Sequence, residues 1–310
     1  MEPMETHGRS KKNSSTRDGA RSPAGFALPI AALIAALIVA GCGAVKLGYR
    51  NADMVGPLWL NRYLDLDSAQ NDLVRHRIAK LLVWHRATQL PDYARLLGEL
   101  QRRVDETLIA ADVAEVDKQM MQHAQTTIEH ALPELADLAL TLKPEQMKTL
   151  QNKFADNDDK FRSDYLRGDT EKRQKIRYEK ALDRAEEWYG RFDRQQRAAI
   201  RRASDARPLN NEFLLAERQR RETELVTLLS RIVHEKPSRD AVIALLKAYY
   251  ERFEVSPDRE RRAFQLALSH GSDEMNAAIA NLATREQRAH AVEKLQQWID
   301  DCKKMAAAPG

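Results

Sequence analysis

Tryptophan, tyrosine, arginine and histidine crowd one part of this 310-residue chain. These types carry much of the energy at protein interfaces. They stand as Trp59-Leu-Asn-Arg62-Tyr63 and Trp84-His85-Arg86, in a chain only 6% aromatic. Two readings follow. The rings pack a first helical layer with guanidinium groups lying across them, or Trp59, Arg62, Tyr63, Trp84, His85 and Arg86 form a face for a protein partner. Other reactive types are less promising. His123 and His130 lie two helical turns apart, too far to chelate one ion without further ligands, and read as a solvated pair. Asp156-Asn-Asp158-Asp159 opens like a calcium loop, but Phe161 holds the sixth position, where glycine is needed, and Arg167 the twelfth, where glutamate is needed. It reads as a charged helix face, and Glu186-Glu187 as part of a salt-bridged helix. There is no GxSxG, P-loop, HExxH or CxxC pattern. The expectation is a non-catalytic protein with no cofactor and no metal.

Cys42 is the cysteine with a defined chemistry. Arg9, Lys11, Lys12, Arg17 and Arg21 precede an apolar run from Phe26 to Ala40, which is too short to span a bilayer as a helix. The run ends in Val39-Ala40-Gly41-Cys42, which resembles the bacterial lipobox. That resemblance implies cleavage before Cys42 and acylation of its thiol, and so a membrane anchor. Residue 43 is glycine, where lipoproteins retained in the inner membrane often carry aspartate. By resemblance to that sorting rule, the expected address is the outer membrane, facing the periplasm. Residues 1–41 are then a lipoprotein signal peptide with a basic leader, 42–66 a lipidated juxtamembrane segment, and 67–310 the periplasmic domain.

Hydrophobic residues make up 43% of the chain and charged residues 31%, as in a folded globular domain. The leader holds five basic and three acidic residues, so the net charge of +4 falls to about +2 after cleavage. Nucleic acid is not an expected partner. Charge is uneven, however. Arg103 to Leu140 carries eight acidic and two basic residues, whereas Arg191 to Arg221 carries nine basic and four acidic. The two segments either attract one another or present a basic surface to acidic envelope components. With Cys42 acylated, Cys302 is the remaining cysteine, which excludes an intramolecular disulfide. It reads as a quiet, partly exposed thiol near a helix end.

The elements that must position these residues are helical throughout. Apolar spacing follows the helical period, as in Val74, Ile78, Leu81, Leu82 and His85 on one face, and alternation of period two is not sustained. The expected helices are Asp67–Thr88, Asp92–Ile109, Asp112–Leu132, Pro133–Leu140, Pro144–Leu166, Thr170–Gly190, Asp193–Ala206, Asn210–Glu235, Ser238–Glu254, Pro257–Ser269, Ser272–Leu282 and Thr284–Met305. The fold class is all-α, an antiparallel bundle or irregular array of eleven to twelve helices, with a possible division into subdomains near 167–170. Four helix starts share a pattern: Leu66-Asp67-Ser-Ala-Gln70, Leu142-Lys-Pro-Glu-Gln146, Phe192-Asp193-Arg-Gln-Gln196 and Ala283-Thr284-Arg-Glu-Gln287. Asp67, Asp193 and Thr284 with their glutamines are capping boxes by type and spacing. Lys143 cannot accept a hydrogen bond, so Thr141 is the alternative cap. The four sites show no common period.

Thr141-Leu142-Lys143-Pro144-Glu145-Gln146 also resembles the LTxxQ motif of the Spy-type periplasmic stress chaperones, small cradle-shaped helical proteins. A wider resemblance rests on Gly48-Tyr49-Arg-Asn51-Ala52-Asp53, Trp59-Leu-Asn-Arg-Tyr63-Leu-Asp65, Trp84-His85-Arg86, Gln89-Leu90-Pro91 and Tyr93. It extends to Leu132-Pro133-Glu-Leu135, Leu142-Lys-Pro144-Glu-Gln146, Tyr178-Glu-Lys-Ala181 and Ala185-Glu-Glu-Trp188. Together with the lipobox, these are similar to the Gram-negative lipoproteins grouped as domain of unknown function 6279. The chain departs from that pattern at Lys143, where threonine is usual, and at Asn61, where aspartate is usual. The resemblance implies a helical envelope lipoprotein and supplies no activity. The function expected is binding of other envelope proteins, in a chaperone or assembly role. The alternative is a structural tether that contacts cell wall or lipid headgroups through Arg191–Arg221.

Overall fold

The computed structural model describes residues 49–256 and 258–308. The leader, Cys42 and Pro257 lie outside them. The described residues form ten α-helices and no strand: α1 (Ala52–Leu64), α2 (Ser68–Arg102), α3 (Ala110–Thr141), α4 (Pro144–Phe161), α5 (Thr170–Tyr189), α6 (Arg194–Ala206), α7 (Asn211–Glu235), α8 (Arg239–Glu254), α9 (Arg259–Leu282) and α10 (Arg285–Ala306). A π-helical turn, Arg162–Leu166, continues α4.

The helix count is slightly below the expectation because three expected breaks do not occur. Pro91 lies inside α2 and Pro133 inside α3. Each removes a donor and disfavours the helix, but buried Gln89, Leu90, Tyr93 and Ala94 carry the inward face of α2 past Pro91. Packing outweighs the local penalty. Gly271 is interior to α9 because a Cβ there would come within 3.3 Å of Arg207 Cγ and 3.4 Å of Pro208 Cδ. It serves close approach, not helix termination. In the other direction, the stretch before Asp67, for which no helix is expected, contains a full helix, α1, with Asp65 in the left-handed region at its C-cap (φ 47°).

Two apolar cores form. The larger draws on α1–α4, α7, α8 and the end of α10. The smaller joins Ala185 of α5, Phe192 of the α5–α6 connection, Ile200 of α6, and Met275 and Ile279 of α9. Helices α7, α8 and the end of α10, all after residue 170, join the larger core with α1–α4. Helix α10 packs along α2, with Gln101 Nε2 donating to Val292 O (3.1 Å) and Gln296 Oε1 (3.1 Å).

Candidate functional site

The four recurrent helix starts come together in two pairs. In each, the glutamine at the third helical position accepts from its own N-cap amide: Asp67 N to Gln70 at 3.1 Å, Lys143 N to Gln146 at 2.9 Å, Asp193 N to Gln196 at 3.0 Å and Thr284 N to Gln287 at 2.9 Å. The glutamine amide then donates outward, to the end of a different helical connection. Gln70 Nε2 reaches Thr141 O at 2.9 Å, and Gln146 Nε2 reaches Leu64 O at 2.9 Å. Gln196 Nε2 reaches Leu282 O at 2.8 Å, and Gln287 Nε2 reaches Arg191 O at 2.7 Å. The two amides of each pair also bond to one another, Gln146 Nε2 to Gln70 Oε1 at 2.7 Å and Gln196 Nε2 to Gln287 Oε1 at 2.8 Å. All four glutamines are buried, as are the residues before the caps, Leu66, Leu142, Phe192 and Ala283.

Each pair is thus a reciprocal clasp between two elbows. One joins the α1–α2 and α3–α4 connections, and the other the α5–α6 and α9–α10 connections. The geometry satisfies helix-end amides and carbonyls that would otherwise be buried without partners. Asp67, Asp193 and Thr284 cap as expected, accepting from the third amide. Thr141 does not serve as the alternative cap: its hydroxyl donates to Leu138 O at 2.7 Å. Lys143 occupies the N-cap position, and its Nζ reaches Asp67 Oδ2 at 2.8 Å, across the clasp. Asn61 Oδ1 accepts from Leu66 N at 2.7 Å, an acceptor role that the usual aspartate would fill equally.

The expected aromatic and arginine face is divided among three settings. The Trp59 and Tyr63 rings meet tilted, with centroids 4.6 Å apart and planes at 39°, and Tyr63 meets Phe154 on α4 edge-wise at 6.2 Å. Trp84 stacks flat on His130 of α3, with ring centroids 3.8 Å apart and planes at 8°. His85 is buried and lies within the helical layer, not on a face open to a partner. Its Nδ1 is 3.0 Å from Tyr49 Oη, and Arg86 lies over the Tyr49 ring at 5.8 Å. Arg62 is exposed and Arg86 half-buried. His123 is not a solvated partner of His130, since its Nδ1 contacts Gln89 Oε1 at 3.1 Å and its ring packs on Tyr93 at 5.0 Å.

Cys302 is buried in this same region rather than partly exposed. Burial, with Asp301 adding to it, pushes its thiol up to about 11. Burial also raises Tyr93 to about 12, raises Tyr49, and lowers His85 to about 4, with His123 contributing to the last. At neutral pH the cluster of Tyr49, His85, Tyr93 and Cys302 is uncharged. It links the start of the described chain to α2 and α10 through packing.

The uneven charges also find separate partners. Glu134 and Asp137 of the acidic stretch pair with Arg77, and Asp137 also with Arg239. In the basic stretch, Arg197 pairs with Glu186 and Arg201 with Asp205, while Glu217 collects Arg220, Arg221 and Arg261. Burial opposes ionisation of Glu217, but the surrounding arginines hold it at about 2. Asp158, read from sequence as part of a charged face, is buried with its Oδ1 2.8 Å from Arg218 Nε.

Among the described residues, no group of three or more His, Cys, Asp and Glu side chains could hold a metal ion, and no helix is long and apolar enough to cross a membrane. A crevice lined by Leu60, Leu73, Val74, Ile78 and Leu138 has a volume of about 30 Å³, room for about one water. No curated protein matches the chain, and no solved structure matches it. The model of a family described as "Family of unknown function (DUF6279)" matches residues 62–251, a span that holds Gln70, Gln146 and Gln196 and ends before Gln287. That match covers more than half of the chain, which therefore belongs to the DUF6279 family.

Proposed function

We propose that this protein is a lipoprotein anchored through Cys42 to the outer membrane, facing the periplasm, where it binds other envelope proteins in a chaperone or assembly role. The observation that carries this reading is the pair of glutamine clasps. The Spy-like LTxxQ resemblance attaches to the four recurrent helix starts, above all Thr141 to Gln146. The same glutamine-centred geometry at four starts gives the motif a mechanical role, holding long helices at fixed elbows and so presenting their outer faces as a rigid scaffold. The tether through Arg191–Arg221 is less favoured, since Arg197, Arg201, Arg218, Arg220 and Arg221 are engaged by carboxylates of the same chain.

Two measurements test the proposal. A palmitate analogue should label the parent but not Cys42→Ser, and equal labelling refutes the anchor. The purified protein should suppress aggregation of an unfolded client. Retained binding to isolated cell wall without such suppression favours the tether.

A further inference from the structure

Helix α1 carries an exposed stripe that changes character along its length. Met54, Val55, Leu58, Asn61, Arg62 and Asp65 are exposed, while Ala52, Gly56, Pro57, Leu60 and Leu64 are buried against the body. At 100° per residue the five exposed positions within the helix, Met54 to Arg62, fall on one side of it, and Asp65 follows at the left-handed C-cap. The half toward the chain start is apolar, with Leu58 68% and Met54 52% exposed. Asn61, Arg62 and Asp65 hold the other half. Arg50, also exposed, stands one turn before Met54 and, with Arg62, brackets the apolar patch. Six residues, Gly43 to Gly48, separate Cys42 from Tyr49. At about 3.5 Å per residue, Tyr49 lies within roughly 25 Å of the Cys42 position and Met54, twelve steps from Cys42, within roughly 42 Å, however that segment runs.

We propose that the outer face of α1 seats on the bilayer to which Cys42 is anchored, with Met54, Val55 and Leu58 entering the headgroup boundary. This rests on the acylation reading above. An apolar face flanked by basic residues is the arrangement of an interfacial helix, in which arginines place their stems along the apolar region and their charges at the phosphates. The occupant is a phospholipid surface because the short connection holds this face beside the acyl chains. Their confinement converts a weak contact into an intramolecular one. Asp65 lies past the last residue of α1, at the end away from Met54, Val55 and Leu58. The consequence is a fixed pose, in which α1 lies along the membrane and the tightly packed body follows it.

The test uses the full-length chain, processed in cells and reconstituted into vesicles of phosphatidylethanolamine and phosphatidylglycerol containing a doxyl-labelled lipid quencher. Leu58→Cys and, as a control on α9, Leu266→Cys carry an environment-sensitive fluorophore; Leu266 is 66% exposed. Circular dichroism confirms that both variants fold, and acyl labelling at Cys42 is read in the same samples. The expected result is acylation in both, with quenching of the Leu58 label at least about threefold greater than that of the Leu266 label. Adding Met54→Gln should reduce that difference. Acylated protein with equal quenching at the two positions overturns the seating of α1 alone. Absence of acylation overturns the anchor and the seating with it, and the acyl readout identifies that case.

Discussion

The substitution Gln287→Glu separates a helix cap from a clasp. In a simple capping box glutamate and glutamine are interchangeable, because only the side-chain oxygen is needed. Here the oxygen accepts from Thr284 N, but the amide nitrogen donates to Arg191 O at 2.7 Å and faces Gln196 Oε1 at 3.3 Å. A carboxylate at that position removes the donor and turns an oxygen toward two acceptors in a buried site. One orphaned carbonyl costs about 1–3 kcal/mol, more beside a charge, so the expected loss is roughly 2–4 kcal/mol at neutral pH. Thr284→Ala, which removes a single 3.3 Å contact to Gln287 N at the helix start, should cost about 1 kcal/mol. Urea unfolding of the chain from Gly43 to Gly310, followed by far-UV circular dichroism, measures both. A further signature is pH: the Gln287→Glu deficit should shrink under acidic conditions that protonate the new carboxyl and restore a donor. The double variant Gln196→Ala with Gln287→Ala should be less destabilised than the sum of its parts by about 1–2 kcal/mol, because the singles break the same amide–amide bonds. Equal stability of Gln287→Glu and the parent, or Thr284→Ala costing as much as Gln287→Ala, would refute the clasp.

Three other outcomes are expected. Glu222 is raised from 4.5 to about 7 by burial, with Arg218 opposing and Asp158 adding; its protonated form favours the fold below pH 4.5, and that contribution is lost as pH rises through 7. Glu222→Gln should therefore melt higher than the parent at pH 8 and show no such gain at pH 4; a gain independent of pH would remove Glu222 titration as its cause. Cys302 should react slowly with a thiol reagent at pH 8 in the folded protein and quickly in urea, and rapid reaction without denaturant would contradict its burial. Arg62→Ala should leave thermal stability within about 0.5 kcal/mol of the parent, as for an exposed residue, so loss of an envelope crosslink in that folded variant would place Arg62 in a partner contact, and unchanged crosslinks would not.

Local chemistry was legible in the chain itself. Apolar spacing dictated helices throughout, and Asp67, Asp193 and Thr284 with glutamine three residues later marked three helix starts, because capping is settled between neighbours in sequence. The motif blocks, Trp84-His85-Arg86 among them, likewise carried the family resemblance without any coordinates. Contacts between distant segments were not legible. Gln70 meets Gln146 across 76 residues and Gln196 meets Gln287 across 91, separations with no signature in either segment alone. Pro91, Pro133 and Gly271 are local breakers, yet the chain remains helical through all three: buried neighbours on both sides of Pro91 and Pro133 outweigh the local cost, and Gly271 packs closely on Arg207 and Pro208. For the same reason His85 and Cys302, polar by type, lie inside the protein: whether a side chain meets solvent depends on which helices cross over it. The sequence by itself determined that the secondary structure is helical and where the helices capped by Asp67, Asp193 and Thr284 begin; only the tertiary structure decided which helix ends clasp, which expected helices fuse and which reactive groups are buried, since each of these is an energy shared between residues far apart in the chain.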